Sequence, residues 1–144
     1  MSSSIKETSI RASQAAKKLA GVDGQTISRA LLAMAAALEA SADKIFKANQ
    51  QDMERSSQEK VDAPLLKRLQ FDQKKLDTVC TGLRQLAAMP NPLWQKQLTR
   101  ELDSDLILER VSCPIGVIGM IFESRPDALV QIAGLCAKSG NAVI

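Results

Sequence analysis

The segment from Cys113 to Pro126, Cys-Pro-Ile-Gly-Val-Ile-Gly-Met-Ile-Phe-Glu-Ser-Arg-Pro, constrains the fold of this chain more than any other. Ile115 to Phe122 is a short apolar run rich in Ile and Val, bounded by Pro114 and by the polar Glu123-Ser124-Arg125. It has no helical period, which predicts a strand buried on both faces of a parallel sheet. Pro126 is pre-set for a first helical turn, Leu129, Ile132, Ala133 and Cys136 recur at helical spacing, and Gly140 suits a left-handed cap. Ala142-Val143-Ile144 then begins a second strand. Strand, polar turn, helix, strand is the βαβ unit in which α/β enzymes hold nucleotides and substrates. The chain stops as that second strand begins, so the pattern predicts the front portion of a larger enzyme.

Arg125 falls at the mouth of the predicted helix. Helix N-termini carry unpaired N–H groups and positive partial charge, so an arginine there would face any anion docked at the carboxyl end of the strand. The plain alternative, a polar residue that meets only solvent, stays open on this pattern alone. Gly116-Val-Ile-Gly119 holds one fragment of a glycine-rich fingerprint and is weak support for a dinucleotide site. No P-loop, EF-hand loop, H-E-x-x-H pattern or internal repeat is present.

The first ninety residues read as a helical layer. Ser4 to Leu19 is a weakly patterned helix. From Ile27 the positions Leu31, Met34, Leu38, Ile45 and Phe46 follow steps of three, four or seven, which predicts one amphipathic helix or a pair broken near Ser41. Asn49 to Asp62 turns polar and reads as a helix end followed by a solvated loop. Asp62-Ala63-Pro64 opens a short helix ending near Leu69. Asp72 stands as an N-cap, with Phe71 and Leu76 spaced as a hydrophobic staple, and this helix must end before Pro90-Asn91-Pro92.

Thr99 to Leu102 and Leu106 to Val111 flank Asp103-Ser104-Asp105, which predicts two strands and a short turn. Such a hairpin is not needed to complete the βαβ unit and so should project from it. Projecting hairpins with pairing edges commonly serve subunit contacts, although a plain surface hairpin fits as well.

Composition narrows the function classes. Nineteen Lys and Arg against sixteen Asp and Glu are interspersed rather than massed, and aromatics make up only 3%, which argues against a nucleic-acid surface. No run is long enough to span a bilayer, and Met1 to Glu7 lacks the apolar core of a signal peptide, so a cytoplasmic protein is expected. Three cysteines with no C-x-x-C and no histidine fit a reducing compartment, exclude the usual Cys/His zinc patterns, and predict no metal site. Cys80, Cys113 and Cys136 are each expected to be buried small hydrophobes rather than nucleophiles. Without histidine no Cys-His or Ser-His-Asp arrangement can be assembled from this chain.

Several segments carry a resemblance that local physics does not supply. These are Pro114 to Pro126, Leu135-Cys-Ala-Lys-Ser-Gly-Asn-Ala-Val-Ile144, Ala48-Asn-Gln-Gln-Asp52 and Gly82 to Pro92. In that order they resemble the gamma-glutamyl phosphate reductases, also called glutamate-5-semialdehyde dehydrogenases, over nearly the whole chain. The resemblance implies an α/β, aldehyde-dehydrogenase-like fold. Residues 1–96 would form the N-terminal helical part of the cofactor-binding domain, residues 97–112 a protruding oligomerisation hairpin, and residues 113–144 the first, incomplete strand-helix-strand unit of a Rossmann-like parallel sheet.

Members of that family reduce L-glutamyl 5-phosphate with NADPH to glutamate 5-semialdehyde and phosphate, in proline biosynthesis. A thiolate attacks the acyl phosphate, phosphate leaves, and the thioester accepts hydride. By its place in the motif, Arg125 is implied to hold the substrate phosphate or a developing oxyanion, and Phe122, Glu123 and Ser124 to line the cofactor groove. The resemblance also implies a homo-oligomer formed through the hairpin. None of the three cysteines matches the family's nucleophile, so the chain alone is expected to be inactive. The alternative is a truncated, non-catalytic helical and hairpin module that pairs with full-length subunits or another partner.

Overall fold

The computed structural model describes residues 4–144; residues 1–3, the start of the expected helical segment, lie outside the described residues. Five helices come first: α1 (Ile5–Leu19), α2 (Gly24–Ala40), α3 (Ala42–Gln58), α4 (Ala63–Leu69) and α5 (Gln73–Ala88). An antiparallel hairpin, β1 (Lys96–Asp103) and β2 (Leu106–Val111), is followed by β3 (Val117–Ile118), α6 (Pro126–Lys138) and β4 (Ala142–Val143). Among the described residues no helix is long and apolar enough to cross a membrane.

Local chemistry sets most of these boundaries. Ser4 and Glu7 form a reciprocal capping box at α1, and the carboxylates of Asp23 and Asp72 accept backbone N–H bonds from Thr26 and Lys75, both at 2.9 Å, at the starts of α2 and α5. The staple residues Phe71 and Leu76 are both buried. At the end of α6, Asn141 N–H donates to Cys136 O and Gly140 N–H to Ala137 O, a Schellman cap with Gly140 at φ 69°. A Cβ at Gly140 would also come within 2.6 Å of Leu93, so two independent constraints demand glycine there.

The core lies between α2 and α5. Ile27, Leu31 and Ala35 of α2 interlock with Phe71, Leu76, Val79, Cys80 and Leu83, while Met34, Leu38, Ile45, Phe46 and Leu86 cover the edges. Gly134 lets α6 close on α5, since a Cβ there would sit 2.7 Å from Leu83. The two long helices break at Ser41, as one of the two expected forms has it.

Three expectations need correction. The polar stretch after Asn49 is not a loop, because α3 continues to Gln58. Pairs at helical spacing, Arg55 to Asp52 and Gln50 to Glu54, support its solvated end, and an apolar stripe cannot reveal a helix that buries nothing there. The apolar run from Ile115 to Phe122 pairs as a strand only at Val117 and Ile118, both half-buried, while Ile115 and Ile121 are exposed. On α6 the buried side is Ala128, Gly134, Cys136 and Lys138, whereas Leu129 faces out.

β3 and β4 pair in parallel, Val117 opposite Ala142 and Ile118 opposite Val143. The hairpin pairs Leu98 with Arg110, Thr99 with Glu109, Arg100 with Leu108 and Glu101 with Ile107, and every residue of both strands is exposed. It is anchored at its base, where Trp94 and Ser112 exchange backbone bonds with each other and with Gln95, and Trp94 Nε1 donates to Ala20 O at 3.3 Å.

Candidate active-site loop

The candidate site is the loop that leaves the carboxyl end of β3 and enters α6. Backbone pairing continues past the strand, with Met120 N–H donating to Ile144 O at 2.9 Å, and then stops. Phe122 and Glu123 follow as exposed residues. Ser124 turns the chain with φ 51°, a left-handed conformation that costs a residue other than glycine about 1–3 kcal/mol. This brings Arg125 to the N-cap of α6 and Pro126 to its first turn.

Arg125 offers no side-chain cap to its own helix, and its backbone carbonyl accepts from Ala128 N–H at 3.0 Å. Its guanidinium lies 3.6 Å from the Asp127 carboxylate, with the arginine side chain 54% exposed. A pair at that distance and exposure is worth about 0–1 kcal/mol, so an anion can displace it at little cost. The cationic elements of the loop are Arg125 and the helix N-terminus. The carboxylates of Glu123 and Asp127 stand in the same turn and oppose them, so the loop discriminates by the guanidinium's reach rather than by net charge.

The base of the loop is held from the other end of α6. Asn141 is buried, accepts from Gly116 N–H at 2.8 Å through Oδ1, and donates from Nδ2 to Ser139 O and Oγ. The start of β3 is thereby tied to the cap of α6. Lys138, also buried, spans to the end of α5, where its Nζ donates to Met89 O at 2.6 Å and reaches Ala87 O and Ser28 Oγ. Sequence reasoning assigned no role to Lys138 or Asn141. The one available signal was their adjacency in the Lys-Ser-Gly-Asn segment at a helix end.

Phe122, Glu123, Ser124 and Arg125 lie together in one exposed turn, and none of them meets a cysteine. Cys80 and Cys136 are buried as expected; Cys80 Sγ contacts Ala35 O at 3.7 Å, and burial pushes both thiols up from their ordinary pKa. Cys113 is exposed, which corrects the expectation that it is a buried hydrophobe: it precedes Pro114 at the entrance to β3, outside the helical core. Among the described residues no group of three or more Cys, Asp and Glu side chains is placed to hold a metal ion. The largest concavity, about 1010 Å³, runs between α5 and α6 along Val79, Leu83, Leu86 and Leu135 and does not include the loop.

No family model matches the chain. Curated relatives do. The chain is 49% identical over 140 residues to the gamma-glutamyl phosphate reductase of Ruminiclostridium cellulolyticum, covering 97% of the chain and 32% of that protein. To the gamma-glutamyl phosphate reductase of a Synechococcus strain it is 51% identical over 126 residues, covering 88% of the chain and 28% of the relative. The crystal structure of gamma-glutamyl phosphate reductase from Saccharomyces cerevisiae superposes with a TM-score of 0.92 at 33% identity, over 99% of this chain and 36% of that one. The Thermotoga maritima structure of the same name gives 0.91 at 27% identity, over 96% and 33%. The expected α/β fold class is borne out by these neighbours, with its helical layer, antiparallel hairpin and short parallel sheet.

Proposed function

The chain belongs to the gamma-glutamyl phosphate reductase family and spans about a third of the length of the curated relatives it matches, and from that premise we propose that it supplies the substrate-facing loop of a reductase acting in proline biosynthesis. The reaction is the NADPH-dependent conversion of L-glutamyl 5-phosphate to L-glutamate 5-semialdehyde and phosphate, in the cytoplasm. One observation carries the assignment of the loop: the Arg125 guanidinium, half exposed at the mouth of α6, is held only by a long contact to Asp127.

In this reading Arg125 binds the substrate's phosphate. Its planar fork matches two phosphate oxygens, and the same contacts stabilise the charge that grows on the phosphate as the acyl–oxygen bond breaks. Asp127 positions the guanidinium before substrate arrives. Phe122, Glu123 and Ser124 fit one wall of a cofactor groove, because the backbone turns outward at Ser124 and leaves the Phe122 ring 44% exposed for an aromatic or amide ring to rest on. NADPH, when bound, supplies the hydride. A nucleophile must come from residues beyond these 144, since Cys80 and Cys136 are buried thiols with raised pKa and Cys113 lies outside the loop. The chain by itself is therefore inactive.

Homo-oligomer formation through the hairpin completes the proposal. Leu98, Leu102, Leu106, Ile107 and Leu108 are all exposed on it, more apolar surface than a two-stranded ribbon needs for its own stability.

A chimera tests the reading. These 144 residues would replace the matching third of the Ruminiclostridium cellulolyticum relative, and phosphate-dependent reduction of NADP by glutamate semialdehyde would be followed. The chimera should turn over while the 144-residue chain alone does not. An inactive but folded chimera, or activity in the chain alone, would overturn the proposal.

A further inference from the structure

The register of the hairpin divides its side chains into two chemically different faces. Directly opposed residues of an antiparallel pair share a face, and alternate pairs lie on opposite faces. Between the register shifts, Leu98, Arg110, Arg100 and Leu108 therefore share one face, and Thr99, Glu109, Glu101 and Ile107 share the other. The bond from Lys96 Nζ to Glu109 Oε1, 2.5 Å, places Lys96 beside the second set. The first face is cationic and apolar: among the described residues neither Arg100 nor Arg110 has a carboxylate partner, and Leu98 and Leu108 are 41% and 49% exposed. The second face is acidic and apolar, with Glu101 unpaired beside Ile107.

This pattern selects among the ways in which a second copy can cover the hairpin. Stacking like faces about a two-fold axis sets Arg100 and Arg110 against their own copies, or Glu101 and Glu109 against theirs, and like charges so juxtaposed are unfavourable. Stacking unlike faces sets guanidinium against carboxylate while Leu98 and Leu108 cover Ile107. We infer that the Arg100/Arg110 face of one hairpin docks on the Glu101/Glu109 face of a second copy, a head-to-tail contact rather than a self-complementary one. The inference rests on the reading of the hairpin as the subunit contact and names the surface it uses. The patch is small beside a standard interface of about 800 Å² per partner, so the contact is weak and salt-sensitive on its own.

The test uses sedimentation of the 144-residue chain at low and high salt, with three variants. All substituted positions are exposed, and helical circular dichroism checks that each variant folds. R100E/R110E and E101R/E109R should each lower the association constant by about tenfold or more, because each makes both faces carry the same sign. An equimolar mixture of the two should restore association, since the acidified face of one then meets the basic face of the other. Failure of the mixture to recover, or undiminished association of either variant alone, would overturn the head-to-tail contact. Replacing residues 97–110 by a short Gly/Ser link separates the two levels of the claim. If that variant associates as well as the parent, the hairpin is not the contact at all; if it is monomeric while the charge variants associate normally, the hairpin reading stands and the face assignment fails.

Discussion

Lys138 Nζ lies 2.6 Å from the carbonyl oxygen of Met89, so a buried cation at the end of α6 satisfies a carbonyl just past the end of α5. Cations at helix C-termini are favoured by the orphan carbonyls and the dipole, and this one also welds two helices. Lys138→Met keeps the aliphatic stem and removes the head group, leaving the Met89 carbonyl short of its donor. The cost should be about 1.5–3 kcal/mol, the range for hydrogen bonds to charged groups. Urea unfolding should show a lower midpoint at unchanged slope; an unchanged midpoint would mean that the contact adds nothing.

Asn49 makes a second long-range clamp. From α3 its Nδ2 donates to Leu69 O at 2.9 Å and its Oδ1 accepts from Phe71 N–H at 2.7 Å, which fixes the link between α4 and α5. Asn49→Ala leaves that partly buried N–H and carbonyl unpaired and should cost about 1–3 kcal/mol. Amide exchange should quicken first at Phe71 and in α4, before the α2–α5 core responds. Uniformly faster exchange would place the clamp inside the global folding unit.

The Glu39–Arg84 pair gives stability a pH dependence of known sign. Arg84, bonded at 2.6 Å, holds the Glu39 carboxyl below its ordinary pKa. The unfolded chain therefore binds the proton more readily than the folded one, and stability rises with pH through the acidic range. It is fully present above the usual carboxylate pKa and is lost as pH falls through the lowered one. Glu39→Gln should flatten that part of the profile, measured as urea midpoint against pH. Both side chains are largely solvated, so the effect is small and fades in high salt.

Much of this fold was legible in the sequence wherever the determinant is local. Asp72 as a cap, Phe71 with Leu76 as a staple, the start of α4 at Asp62-Ala63-Pro64, the stop before Pro90 and the left-handed Gly140 each depend on residues within one turn. What escaped depends on distant partners or on their absence. The end of α3 buries nothing, so the apolar period faded while Asp52 and Arg55 kept the helix going. Lys138 and Asn141 act on Met89 and Gly116, across 49 and 25 residues of sequence. Leu129, on a plausible stripe, faces out because the close approach at Gly134 sets how α6 rolls on α5. In the candidate loop the residues were found by motif, while the Asp127 contact that restrains Arg125 is a matter of side-chain geometry.

The central claim, that Arg125 holds the substrate's phosphate, is tested most directly by Arg125→Lys in the chimeric reductase. The substitution keeps one positive charge and removes the bidentate fork. Loss of a charge-assisted bond worth about 1.5–3 kcal/mol predicts a fall in kcat/KM for L-glutamyl 5-phosphate of roughly 10- to 150-fold. The dissociation constant for NADPH, measured by fluorescence titration of the same protein, should change by less than about twofold. Unchanged kcat/KM, or an equal loss in both quantities, would contradict the account and remove Arg125 from the phosphate site.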